Sequence, residues 1–166
     1  PETCQIWEAA AEPARTAGIR TIHARTGIVL DACGGALAKM LLPAKMGGGG
    51  PIGFGRQWFS WISMDDEVYA LHHLMMSPHT AGAYNLTAPE SLHQKSFAKV
   101  LGRVLRRPAF IPTPPLAIWL LYGKMGVALT TESQRVYPTR LINSGYRFQH
   151  KTAEDALRDA LGKWRN

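Results

Sequence analysis

The acids Asp65, Asp66 and Glu67, the thiol of Cys33, the adjacent His72 and His73, the run Gly47-Gly-Gly-Gly50, and the pair Trp58 and Trp61 are the residues whose types and spacing could support chemistry. Three clustered acids could hold a metal or exchange protons. At the start of a helix, however, acids complement the macrodipole, and Ser63 with Asp66 has the form of a capping box, so the structural reading is favoured. Adjacent histidines face different directions on a helix, no His-Glu-x-x-His occurs, and the six histidines show no metal spacing. Cys33 has no basic neighbour in sequence to lower its pKa, and no Gly-x-Ser-x-Gly elbow is present. Neither metal chemistry nor covalent hydrolysis is supported, and no catalytic residue is assigned. The glycine run ends in Pro51-Ile52 rather than Gly-Lys-Ser/Thr, and it leads from a helix to a strand, the reverse of a Rossmann turn. It is expected to be a flexible or ligand-facing loop. Trp58 and Trp61 stand three apart in an extended segment, so they should point to opposite faces, one into the core and one toward the loop side where α/β proteins hold ligands.

The elements that must position these residues alternate. Ile6, Trp7, Ala10, Ala11 and Ala14 give helical spacing over residues 3–17, with Pro13 tightening the last turn and Gly18 as a stop. Residues 19–24 read as a buried strand continued through 25–30. A helix follows at 35–45, a strand at 59–63, a helix at 65–76, a strand at 83–87 and a helix at 94–105. Strands alternating with helices imply parallel pairing and an α/β layer fold. After Arg107 the character changes. Prolines crowd at 108, 112, 114 and 115, and an apolar helix is expected at 116–122. Short segments follow at 133–136, at 139–143 with Gly145 as C-cap, and at 152–161, where Thr152 and Asp155 form a capping-box start. Residues 1–107 are therefore expected to form the α/β part and 108–166 a small, mostly helical appended domain.

A composition of 46% hydrophobic and 19% charged residues is that of a globular chain. Its most apolar stretch, at 114–122, is shorter than the ~20 residues that span a bilayer. Pro1 to Ala17 has no apolar signal region, and two cysteines fit a reducing compartment, so the cytoplasm is the expected location and no membrane association is expected. The net charge of +7 raises a nucleic-acid reading, carried by Arg103, Arg106, Arg107, Lys163 and Arg165. These cations lack the interleaved aromatics that stack on bases, so a solvated basic face is preferred.

Several stretches together carry a family pattern. Trp7-Glu-Ala-Ala-Ala-Glu-Pro-Ala14, Arg25-Thr-Gly-Ile-Val-Leu30, Gly34-Gly-Ala-Leu-Ala-Lys-Met40 and Gly55-Arg-Gln-Trp-Phe-Ser-Trp-Ile62 come first. Tyr84-Asn-Leu-Thr-Ala-Pro89, Arg107-Pro-Ala-Phe-Ile-Pro112, Gln134-Arg-Val-Tyr-Pro138 and Gly145-Tyr-Arg-Phe148 continue it. In this combination the chain closely resembles the epimerase-like atypical short-chain dehydrogenase/reductases, extended-type relatives of NAD(P)-dependent epimerases and dehydratases. The resemblance covers nearly the whole chain, including the family's small C-terminal domain. It implies the C-terminal part of a Rossmann-type parallel sheet, with NADP(H) bound in the complete protein.

What the resemblance implies about the site follows from position. The phosphate-cradling Gly-x-x-Gly-x-x-Gly turn is absent from this sequence, so the expected partner is an N-terminal half of the same fold. Glu8 matches the helical Glu that follows the family's catalytic Tyr-x-x-x-Lys. Cys4 then stands at the lysine and cannot supply its charge. This chain alone is expected to be inactive, and the complete protein is either an atypical oxidoreductase or a cofactor binder. The strand end after the catalytic helix lies against the nicotinamide half in such relatives, which makes Arg25, Thr26 and Gly27 the cofactor-side candidates. A structural salt bridge to a neighbouring acid is the competing role for Arg25. Leu30 to Gly35 is the adjoining loop, and Trp58 and Trp61 are the substrate-side candidates. Phe59 stands where nucleotide-sugar epimerases often carry an arginine, which counts against a nucleotide-sugar substrate. A small-molecule substrate of unknown identity and homo-oligomerisation are expected. The alternative reading is a non-enzymatic binding module with a basic, nucleic-acid-binding face.

Overall fold

Local chemistry explains the helices in this computed structural model, which describes residues 2–109 and 133–163. Helices α1 (Glu2–Ala9) and α2 (Glu12–Thr16) divide the single helix expected at 3–17, with Pro13 in the first turn of α2, where its missing N–H costs nothing. Helix α3 (Gly35–Lys45) buries Leu37, Leu41 and Ala44. Helix α4 (Met64–Met76) is capped by Ser63, whose Oγ accepts from the Asp66 amide at 3.2 Å, and it buries Asp66, Ala70 and Leu74 one turn apart. Helix α5 (Gln94–Leu105) turns Phe97, Ala98, Leu101, Val104 and Leu105 inward. It ends at Arg106, left-handed at φ 54°, ahead of Pro108. Helices α6 (Thr139–Asn143) and α7 (Ala153–Ala160) close the chain, and Thr152 Oγ1 accepts from the Asp155 amide at 3.2 Å, the expected cap. The helix expected at 116–122, the prolines at 112, 114 and 115, and Arg165 lie outside the described residues.

The sheet is built from two parallel ladders. Strand β1 (Ile22–Thr26) pairs with β5 (Gly82–Leu86), with Ile22 opposite Gly82 and Thr26 opposite Leu86. Strand β2 (Ile28–Leu30) pairs with β4 (Trp61–Ser63), with Ile28 opposite Trp61. Gly27 is the changeover. Its amide donates to Leu86 O at 2.9 Å, whereas the next amide, of Ile28, donates to Ser60 O at 2.9 Å. Beyond this point β4 enters between the two original neighbours, since Ala88 N donates to Trp61 O. A Cβ on Gly27 would lie 2.9 Å from both Ser60 O and Thr87 Cγ2, so the crossing fits only glycine.

Two strand expectations are adjusted. The first strand starts at Ile22 rather than Ile19 because the Arg20 guanidinium is drawn to the end of α4. It donates to the carbonyls of Leu74, Met75 and Thr80. The strand expected at 59–63 is broken at Ser60, with β3 (Trp58–Phe59) pairing antiparallel to β6 (Leu92–His93).

Two apolar clusters make the core. Leu30, Leu37, Trp61, Phe97 and Leu101 meet Ala153, Ala156 and Leu157 of α7 in one. Ile62, Leu74, Tyr84 and Leu86 meet Leu141 and Phe148 in the other. The described C-terminal helices thus pack directly on the α/β layers.

Candidate functional site

A cleft of about 810 Å³ opens outside the carboxyl ends of β1 and β5, where ligands sit in open α/β sheets. Helix α1 contributes Cys4, Trp7 and Glu8 to one wall, β1 and its exit contribute residues 23–27, and Asn85 and Thr87 come from the end of β5. Residues 134–137 form the opposite wall. That segment has no regular structure and is held by Ser60, whose Oγ donates to Gln134 O at 2.7 Å and accepts from the Val136 amide at 3.2 Å. Ser133 Oγ adds a bond from the Trp58 amide at 3.0 Å. The break at Ser60 therefore has a use: it frees a hydroxyl to anchor the cleft wall.

Arg25, Thr26 and Gly27 all line this cleft. The Arg25 guanidinium forms a two-pronged ion pair with Glu8, at 2.7 Å (Nε to Oε1) and 2.8 Å (Nη2 to Oε2). This bond holds the Glu8 carboxyl below its usual range and raises the already high pKa of Arg25. The structural ion pair is thus present, and it occupies only two arms of the fork. Nη1 makes no hydrogen bond among the described residues, so it can still meet an anionic or hydroxyl ligand. Thr26 Oγ1 donates to Glu67 Oε1 at 2.8 Å, which leaves its lone pairs for the cleft. Burial pushes the Glu67 carboxyl above its usual range, and its Oε2 is buried with no hydrogen-bond partner among the described residues.

The two tryptophans separate as the extended spacing requires, but neither lines the cleft. Trp61, expected on the substrate side, is 0% exposed inside the larger apolar cluster. Trp58 is half-buried, stacks on His93 with centroids 4.0 Å apart, and carries the Arg135 guanidinium 4.5 Å from its ring centre. It reaches the cleft through Arg135, which it holds by a cation–π contact. The glycine run does not line the cleft. It folds back on α3, where the Gly48 amide donates to Pro43 O at 2.9 Å.

Sequence reasoning missed the opposing wall. The Gln134-Arg-Val-Tyr-Pro138 stretch carried only a family pattern, and no periodicity showed that Ser60 would hold it. Part of the basic surface is consumed internally, with Arg103 paired to Glu154 at 3.0 Å and Lys163 Nζ donating to Val104 O at 3.3 Å. No helix among the described residues is long and apolar enough to cross a membrane.

Comparison with known proteins places this architecture among relatives. A family described as a domain of unknown function (DUF1731) matches residues 113–160. The Arabidopsis thaliana "Epimerase family protein SDR39U1 homolog, chloroplastic" is 40% identical over 157 residues, covering 95% of this chain and 45% of that protein. Epimerase family protein YfhF of Bacillus subtilis is 37% identical over 155 residues, covering 93% and 50%. The crystal structure of human epimerase family protein SDR39U1 (isoform 2) with NADPH superposes with a TM-score of 0.82 at 36% identity, over 88% of this chain and 50% of that one. A nucleoside-diphosphate sugar epimerase from Corynebacterium glutamicum gives 0.76 at 28% identity, over 97% and 30%. The chain spans about half the length of the relatives it matches.

Proposed function

Since the chain belongs to the epimerase-like atypical short-chain dehydrogenase/reductases, we propose that its cleft is the nicotinamide-side wall of an NADP(H) site in an epimerase-like oxidoreductase. The observation that carries this reading is that Arg25, Thr26 and Gly27 converge on one cleft at the carboxyl ends of parallel strands, in a fold similar to a protein crystallised with NADPH. The residues present fit the nicotinamide ribose half of the cofactor. Arg25 offers an unused guanidinium arm, Asn85 and Thr87 offer short polar side chains, and the glycine exit of β1 adds no bulk. Among the described residues no glycine turn at a helix N-terminus lines the cleft, so the pyrophosphate is to be held by the remainder of the complete protein.

When bound, the cofactor would supply hydride chemistry. Arg25 would orient the ribose while Glu8 fixes the guanidinium plane. Arg135, seated on Trp58, closes the opposite wall and places a positive charge where a substrate enters. Cys4 lines the cleft at the position of the family's lysine, and its thiol offers no permanent cation to hold the ribose or lower a tyrosine pKa. The division we propose runs at residue 107: residues 1–107 complete the Rossmann-like domain, and 108–166 form the C-terminal unit, a reading supported by the match at 113–160. Exposed free thiols at Cys4 and Cys33 support a reducing, cytoplasmic setting.

The test is NADPH titration of the complete protein. Arg25→Lys should weaken binding roughly ten-fold, because an ammonium cannot reproduce the planar two-pronged bond to Glu8 that leaves a third arm aimed at a ribose. Unchanged affinity with a lowered melting temperature would make Arg25 purely structural.

A further inference from the structure

Beside α4, a second cleft of about 620 Å³ is lined by Asp65, Tyr69, His150, Asp155, Arg158 and Asp159, among others. Donor atoms of Asp65, His150 and Asp159 lie within 4.8 Å of one another. The imidazole is the informative member. The His150 side chain is 11% exposed, and its Nδ1 lies 3.1 Å from Ser63 Oγ and 3.8 Å from Asp66 Oδ2. Ser63 gives its one hydroxyl hydrogen to Asp66 Oδ2 at 2.9 Å, so its oxygen can only accept from the ring. The tautomer protonated at Nδ1 satisfies both of these neighbours at once.

That assignment leaves Nε2 as the atom facing the cleft. It makes no hydrogen bond among the described residues, and Asp159 Oδ2 lies 3.8 Å away, beyond hydrogen-bond reach. A ring whose Nδ1 donates inward while its Nε2 lies beside a carboxylate has the arrangement that orients a metal-ligating histidine. Arg158 also lines the cleft, but Glu154 takes its guanidinium through bonds of 3.0 and 2.7 Å.

We propose that Asp65, His150 and Asp159 form a site for a divalent cation of the borderline class that accepts one imidazole and two carboxylates, such as Zn²⁺, Mn²⁺ or Co²⁺. Bonds of about 2.1 Å to such an ion require ligand separations of roughly 3–3.5 Å, a small closure from the observed spacing. The ion would tie the start of α4 to α7, and water would complete its coordination. This site is separate from the nicotinamide-side cleft and does not depend on it.

The experiment is a Co²⁺ titration of the tag-free 166-residue chain, read by visible absorption and by thermal melting. We expect saturable one-to-one binding, d–d bands without a thiolate-to-cobalt band, and a melting temperature that climbs with Co²⁺. Asp159→Asn and Asp65→Asn should each weaken binding at least ten-fold. Both carboxylates lie outside the apolar core, and far-UV circular dichroism checks that the variants stay folded. Absence of saturable binding at millimolar Co²⁺ would leave only a histidine lying beside two carboxylates and overturn the proposal. So would binding that both variants retain, or a thiolate-to-cobalt band, which would assign the metal to Cys4 or Cys33.

Discussion

Asp66 shows how one side chain can organise distant parts of a chain. It is 0% exposed, and its carboxylate accepts from Ser63 Oγ, Tyr146 OH, and the amides of Gln149 and His150, at 2.8 to 2.9 Å. Burial first, and then this carboxylate, hold the Tyr146 phenol far above its usual range. Asp66→Ala would leave these donors facing nothing, and a loss of roughly 3 kcal/mol or more is expected in urea unfolding. Glu67, next along α4, is the opposite case. Burial raises its pKa above the ordinary 4.5, so the folded chain holds this proton more tightly than the unfolded chain does. Stability from Glu67 is present below that ordinary value and is lost as pH rises through the raised one. Glu67→Gln does not titrate, so melting temperatures measured against pH should move steadily in its favour, relative to the parent, from acid to neutral. A constant difference would show that Glu67 titrates normally.

At the scale of elements, Gly27 carries the largest consequence. Gly27→Ala forces a methyl against Ser60 O and Thr87 Cγ2, and a loss of about 1–3 kcal/mol is expected in chemical denaturation. Because Ser60 also anchors residues 134–137, the same variant should weaken NADPH binding by the complete protein. The helices at 35–45, 65–76 and 94–105 were legible in the sequence because their signals are local, whereas the break between α1 and α2 was not. The 94–105 boundaries follow from the apolar spacing and Arg107-Pro108, and both side-chain caps follow from Ser63 with Asp66 and Thr152 with Asp155. The β3–β6 ladder was not legible, since two residues on each side are too few to show alternation. The grouping of Asp65 with His150 and Asp159 was equally hidden: motif spacing detects ligands on one element, and these stand on separate ones. The Arg25–Glu8 pair lay between these extremes, with a partner acid expected but not identified.

For the molecule as a whole, the surface that stays uncovered is as telling as the core. Met64, Val68, Leu71 and Met75 recur every three or four residues along α4 and are exposed, and Ile6 and Trp7 of α1 are exposed as well. Strand β1 has one ladder partner among the described residues. The 166-residue chain is therefore expected to self-associate at micromolar concentration, as judged by light scattering. Val68→Lys with Leu71→Lys should reduce that association. A stable monomer in the parent chain would show that these faces need no cover. The parallel ladders also bear on the chain's synthesis. Ile22 pairs with Gly82, so β1 must wait on the ribosome until its partner has been made and released, a delay of the order of seconds at ordinary elongation rates. The backbone hydrogen bonds of helices α3 and α4 are local and can form during that interval, but an unpaired strand edge cannot satisfy its own backbone. The most hazardous interval for this ladder thus falls between the synthesis of Ile22–Thr26 and that of Gly82–Leu86, while the edge of β1 that β5 will cover is still open.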